Sequence, residues 1–94
     1  MIDNLTDNIV ELELDCGFNL KLENLPISIR KIIFDIDSKY DKELNCLPYF
    51  VEFLQLPKKY NKRILNLPKE LKEIMCSKDY EYIDDFTGVS IMHY

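Results

Sequence analysis

The sequence predicts a mainly β chain wound into a short solenoid. About four coils of 20–22 residues would each give one short strand to a parallel sheet. Three observations carry this reading. A leucine recurs at Leu5, Leu25, Leu47 and Leu67, at spacings of 20, 22 and 20, and Pro26, Pro48 and Pro68 follow the last three. Behind each leucine, apolar residues return at offsets of four, seven and nine. The last two of these stand two residues apart, so both point to one face of an extended segment.

The first unit, residues 4–23, has Ile9, Leu12 and Leu14, and its alternation Glu11-Leu12-Glu13-Leu14 is the plainest strand signal in the chain. Phe18-Asn19 and Leu22 close it. The second unit, 24–45, repeats the order with Ile29, Ile32, Phe34, Tyr40-Asp41 and Leu44. Its two extra residues fall between Phe34 and Tyr40, around Ile36-Asp37-Ser38, and are expected as a bulge at the far edge of the sheet. The third, 46–65, has Val51, Leu54, Leu56, Tyr60-Asn61 and Ile64. The fourth, 66–84, has Leu71, Ile74, Cys76, Tyr80 and Ile83. Here Leu67, Leu71 and Ile74 also fit a helical spacing, and Lys-Glu-Leu-Lys-Glu favours helix. A pattern shared by four units favours strand in all of them.

A Leu-Pro start suits extended or turn backbone, because proline fixes φ and lacks an N–H. Asn19, Asp41 and Asn61, after the aromatic, are expected at a corner, where short polar side chains bond nearby backbone. Residues 85–94 lose the pattern and read as a degenerate fifth unit or a C-terminal cap, with Phe86 near the place of a fifth anchor. The first unit has no cap ahead of it, which points to self-association through the solenoid ends or to a longer parent chain.

Composition narrows the function. The 94 residues suit a single domain, and 47% hydrophobic with 31% charged side chains is a globular mix. With only 2 Gly and 4 Pro there is no flexible linker. A net charge of -5 disfavours nucleic acid. The densest basic run, Lys58-Lys59-Tyr60-Asn61-Lys62-Arg63, is one turn wide and reads as a solvated loop. Cys16, Cys46 and Cys76 are an odd set out of step with the repeat, so they are expected as free thiols in a reducing compartment. The single histidine, His93, is close in sequence only to Cys76, so no metal site is expected, and no cofactor is implied. The N-terminus lacks a basic start followed by an apolar run, and no stretch approaches the ~18 apolar residues of a membrane span. A soluble cytoplasmic protein with no membrane partner is expected.

Catalytic patterns are missing. Gly17 and Gly88 are isolated, no Ser/His/Asp arrangement recurs, and Asp84-Asp85 read as a solvated pair. His93 lies one residue from the C-terminus, a frayed place for a general base. The chain is expected not to be an enzyme.

The pattern Leu-Pro-x-x-Ile/Leu-x-x-Ile/Leu-x-Leu/Phe followed by Tyr/Phe-Asn resembles the FNIP repeat, a relative of leucine-rich repeats. The resemblance covers residues 4–84 and rests on Leu25-Pro26-Ile27-Ser28-Ile29, Phe18-Asn19, Tyr60-Asn61 and Asn66-Leu67-Pro68. It departs at Lys21, Glu43, Arg63 and Ile83, where the family places proline, at the tyrosines that replace phenylalanine in three units, and at Asp41 and Glu81 in place of asparagine. The resemblance implies a leucine-rich-repeat-like solenoid that binds proteins, of a kind abundant in amoebae and their large viruses, hence host cytoplasm if viral. Some members carry an F-box and serve ubiquitin ligases. Residues 67–74 are faintly similar to an F-box opening and equally form the fourth repeat.

With Leu12, Leu14 and their equivalents inward, the residues between them face outward. One row is then Glu11, Lys31, Phe53 and Glu73, a second is Glu13, Ile33, Gln55 and Met75, and a third is Asp15, Asp35, Pro57 and Ser77. In leucine-rich repeats this face carries partners, and the resemblance implies the same here. Phe53, Ile33 and Met75 would make an apolar patch beside Glu11, Glu13, Asp15 and Asp35, a docking site for a basic protein partner.

Overall fold

The computed structural model describes residues 9–94; Leu5 and the opening of the first unit lie outside the described residues. The chain forms a parallel β-solenoid of about four turns. Its strands are β1 (Glu11–Leu14), β2 (Lys31–Phe34), β3 (Phe53–Gln55), β4 (Glu73–Met75) and β5 (Ser90–Met92), paired in chain order. From β1 to β4 the register is the one the repeat spacing dictates, and β5 continues it. Leu12, Ile32, Leu54, Ile74 and Ile91 are successive partners, as are Glu11, Lys31, Phe53, Glu73 and Ser90. Among the described residues the only helical element is a 3-10 turn at Ile83–Asp85.

Two backbone devices make each coil. Behind each Leu-Pro pair, the proline carbonyl accepts the N–H three residues on: Pro26 from Ile29 (3.3 Å), Pro48 from Val51 (3.3 Å) and Pro68 from Leu71 (3.1 Å). Proline thus brings its fixed φ and a free acceptor to a place where no donor is needed. The next two N–H groups then leave the coil and converge on one carbonyl of the coil before. Arg30 and Lys31 donate to Val10, Glu52 and Phe53 to Arg30, and Lys72 and Glu73 to Glu52. This resolves the fourth unit. Its helical spacing and good helix formers lose to partners one coil away, and the chain turns at Lys69–Glu70 and enters β4.

Beyond each strand a second turn reverses the chain. The N–H groups of Phe18, Tyr60 and Tyr80 donate to the carbonyls of Asp15, Pro57 and Ser77, each at 3.1 Å. In the second coil the equivalent donor is Ser38, to Asp35 (3.0 Å), and the aromatic comes two residues later. The extra pair is therefore Ser38-Lys39, and the buried Ser38 hydroxyl accepts the Tyr40 N–H at 3.1 Å. These turns correct the expected corner. Asn19, Asp41 and Asn61 follow it outside any regular element, and Asn19 Oδ1 instead accepts the Asp41 N–H of the next coil at 3.2 Å.

The core is the inside of the stack. Ile32, Leu54 and Ile74 are fully buried, as are Phe34, Leu56, Leu22 and Leu44, whereas Leu12 and Ile91 at the two ends of their column are half-buried. A ring column runs beside it: Phe18, Tyr40, Tyr60 and Tyr80, with successive centroids 5.9, 6.3 and 6.5 Å apart and nearly parallel planes. Phe86 extends this column, 5.4 Å from Tyr80 and 7° from parallel, so it serves as a ring cap and not as a fifth leucine-like anchor. Each tyrosine hydroxyl donates to a carbonyl of the coil before it: Tyr40 to Leu20 (3.0 Å), Tyr60 to Lys42 (2.8 Å) and Tyr80 to Lys62 (2.5 Å).

Candidate docking face

The sheet presents one continuous outer face, and alternation along each strand decides what lies on it. Leu12, Ile32, Leu54 and Ile74 point inward, so their neighbours point out. Glu11, Lys31 and Glu73 are exposed and Phe53 is half-buried in their row; Glu13 is exposed and Ile33, Gln55 and Met75 are half-buried in the next. The second row ends on Met92 of β5, also half-buried.

The apolar residues are not a single strip. Gln55 stands between Ile33 and Met75, and its amide Nε2 donates to the Phe34 carbonyl at 2.7 Å. Phe53 lies two residues along the same strand, in diagonal reach of both. Met75 and Met92 are direct neighbours. The patch therefore centres on β3 to β5, with Glu11 and Glu13 on β1 and Glu73 on β4 as the acidic side chains of the face.

The third row does not belong to the face. Asp15, Asp35, Pro57 and Ser77 open the turns that follow the strands. Asp15 Oδ1 accepts the Gly17 N–H at 3.0 Å, Asp35 Oδ1 accepts that of Asp37 at 2.9 Å, and Ser77 Oγ accepts that of Asp79 at 3.1 Å. Pro57 is buried. A strand period carried one residue too far put them on the sheet; acid or serine two places before a turn N–H is the signal of an Asx-type turn instead.

Among the described residues the ion pairs are Lys58–Asp37, Lys72–Glu52, Lys42–Asp41 and the two-pronged Arg63–Asp85, all at the surface, with Asp85 half-buried. Arg63 Nε lies 2.8 Å from Asp85 Oδ2 and its Nη2 3.1 Å from Oδ1. The basic run 58–63 is thus divided: Lys58 and Arg63 have carboxylate partners and Tyr60 is buried in the ring column. Cys16 and Cys46 are exposed and Cys76 is buried, all as free thiols, and burial pushes the Cys76 thiol pKa up. His93 Nδ1 lies 3.1 Å from the Cys76 carbonyl oxygen. Among the described residues no three His, Cys, Asp or Glu side chains converge on a metal-sized point, and no helix is long and apolar enough to cross a membrane.

The reading from sequence missed Ser90 and Met92, because the coil between β4 and β5 is short. Ile74 and Ile91 are 17 residues apart where earlier partners are 20 or 22 apart. Val89 and Ile91 two residues apart, behind the turn at Thr87–Gly88, are the signal that was present. Gly88 has φ 72, a backbone that glycine adopts without strain. Comparison with protein-family models, with curated proteins and with solved structures gives no match.

Proposed function

We propose that this chain is a non-catalytic protein-interaction module that docks a basic protein partner on the outer face of its parallel sheet, as the resemblance to FNIP repeats implies, in a cytoplasmic setting. The observation that carries the reading is the placement of Phe53, Ile33, Met75 and Met92 on one outer face, partly open to solvent, beside Glu11 and Glu13. Large side chains in such positions supply the area that a partner buries, and acidic neighbours steer a basic one. Affinity capture from cell extract with the full chain and with Phe53→Asp tests it. Phe53 lies outside the core, so far-UV circular dichroism stays unchanged while the captured partner is lost. Capture undiminished by a folded Phe53→Asp protein contradicts the reading.

A second reading, self-association through the solenoid ends, is favoured by Ile91, which is half-buried where Ile32, Leu54 and Ile74 are fully covered. Light scattering across a concentration series separates it from a monomer. The ubiquitin-ligase role gains no support from residues 67–74, which belong to the fourth coil.

A further inference from the structure

Beyond the C-terminal ends of β1, β2 and β3, where the strands give way to turns, the outer face borders an open groove of about 570 Å³. Ile33, Ile36 and Gln55 line it together with Glu13, Asp15 and Asp35, the last two with one carboxylate oxygen each engaged by the N–H of Gly17 or Asp37. We propose that this groove receives an arginine side chain presented by the partner, an inference that rests on the docking-face reading and specifies its basic occupant.

Charge complementarity selects the occupant. Asp37, Asp41, Glu52 and Asp85 each have a cationic neighbour, whereas Glu13, Asp15 and Asp35 have none among the described residues. The Glu13 carboxyl is held above its usual pKa by its hydrogen bond with Glu11 and by that residue's charge, as expected where negative charge is not relieved. A compact metal ion does not suit the lining, because no three of its acidic groups converge. The cation must instead suit acidic groups that do not gather in threes around one point. A guanidinium does so with donors spread across a planar fork, while its methylene stem lies along Ile33 and Ile36. Gln55 spends an amide hydrogen on the Phe34 carbonyl and keeps its Oε1 as a further acceptor.

The test is a titration of the isotope-labelled full chain, followed by backbone amide NMR, with two probe peptides: acetyl-Ile-Arg-Ile-amide and the same peptide with citrulline, which keeps the shape and removes the charge. A variant carrying Glu13→Gln, Asp15→Asn and Asp35→Asn is run beside it; its amide oxygens keep the turn acceptors for Gly17 and Asp37. The arginine peptide is expected to bind about tenfold more tightly than the citrulline peptide at low salt, a difference of about 1.4 kcal/mol. Its shifts should gather at Ile33, Ile36 and Gln55, and the preference should vanish in the variant. Equal affinities, no binding of either peptide, or a preference that survives in the variant overturns the proposal. Shifts confined to Phe53 and Met75 also overturn it but leave the docking face standing, which fails only by the Phe53→Asp comparison.

Discussion

Tyrosine stands in the second, third and fourth units where the first has Phe18, and its hydroxyl is the reason. Each ring reaches a carbonyl of the coil before it, so the substitution adds a hydrogen bond between coils in a place where backbone pairing is absent. Phe18, in the first unit, carries no hydroxyl. Tyr60→Phe is expected to keep the ring stack, leave the Lys42 carbonyl short of its donor and lower stability by about 1 kcal/mol in urea unfolding; no loss would remove the bond from the account. The same rings give a pH dependence. Burial pushes the Tyr40 hydroxyl pKa up to about 12 from an ordinary 10.0, and Tyr60 and Tyr80 shift in the same direction for the same reason. An unfolded chain releases these protons first, so the folded state is at no disadvantage below pH 10 and loses stability as pH rises through about 12. Urea midpoints measured between pH 8 and 12 should fall only in the upper half of that range.

At the scale of the element, strands of three or four residues are too short to hold themselves, and the column beneath them does the holding. Leu54 is covered above and below by Ile32 and Ile74, whereas Ile91 is covered on one side by Ile74. Leu54→Ala should therefore cost about 2–5 kcal/mol and Ile91→Ala clearly less, read by thermal unfolding; equal losses would deny the column its ends. These strands were legible from the sequence because a residue pair two apart returned at nearly constant spacing, and a constant spacing fixes parallel register without any knowledge of the turns. The turns were less legible. Asp15, Asp35 and Ser77 look like one more outward step of a strand until their side chains are seen to cap a reversal. Phe86, in the short last coil, stacks on Tyr80 and closes the ring column, a role that its offset from the repeat did not reveal. The composition of the sheet's outer face followed from alternation alone, apart from the Met92 end, which the short coil hid.

Across the whole molecule, the net charge is unevenly divided. Residues 1–45 hold 10 of the 17 acidic side chains and 5 of the 12 basic ones, so the entire net charge of -5 belongs to the first half of the chain. Under the proposed docking, a basic partner would be drawn toward Glu11 and Glu13 on β1 and would meet its apolar contacts at Phe53, Met75 and Met92, on β3 to β5. That division of labour exists only if the coils are stacked in the observed order. The most direct measurement is a methyl–methyl NOE spectrum of the full chain with labelled Ile and Leu. The account predicts cross-peaks from Leu12 to Ile32, Ile32 to Leu54, Leu54 to Ile74 and Ile74 to Ile91, each linking only adjacent rungs. Strong Leu67–Leu71 and Leu71–Ile74 peaks of a helix, with the Leu54–Ile74 peak missing, would contradict it.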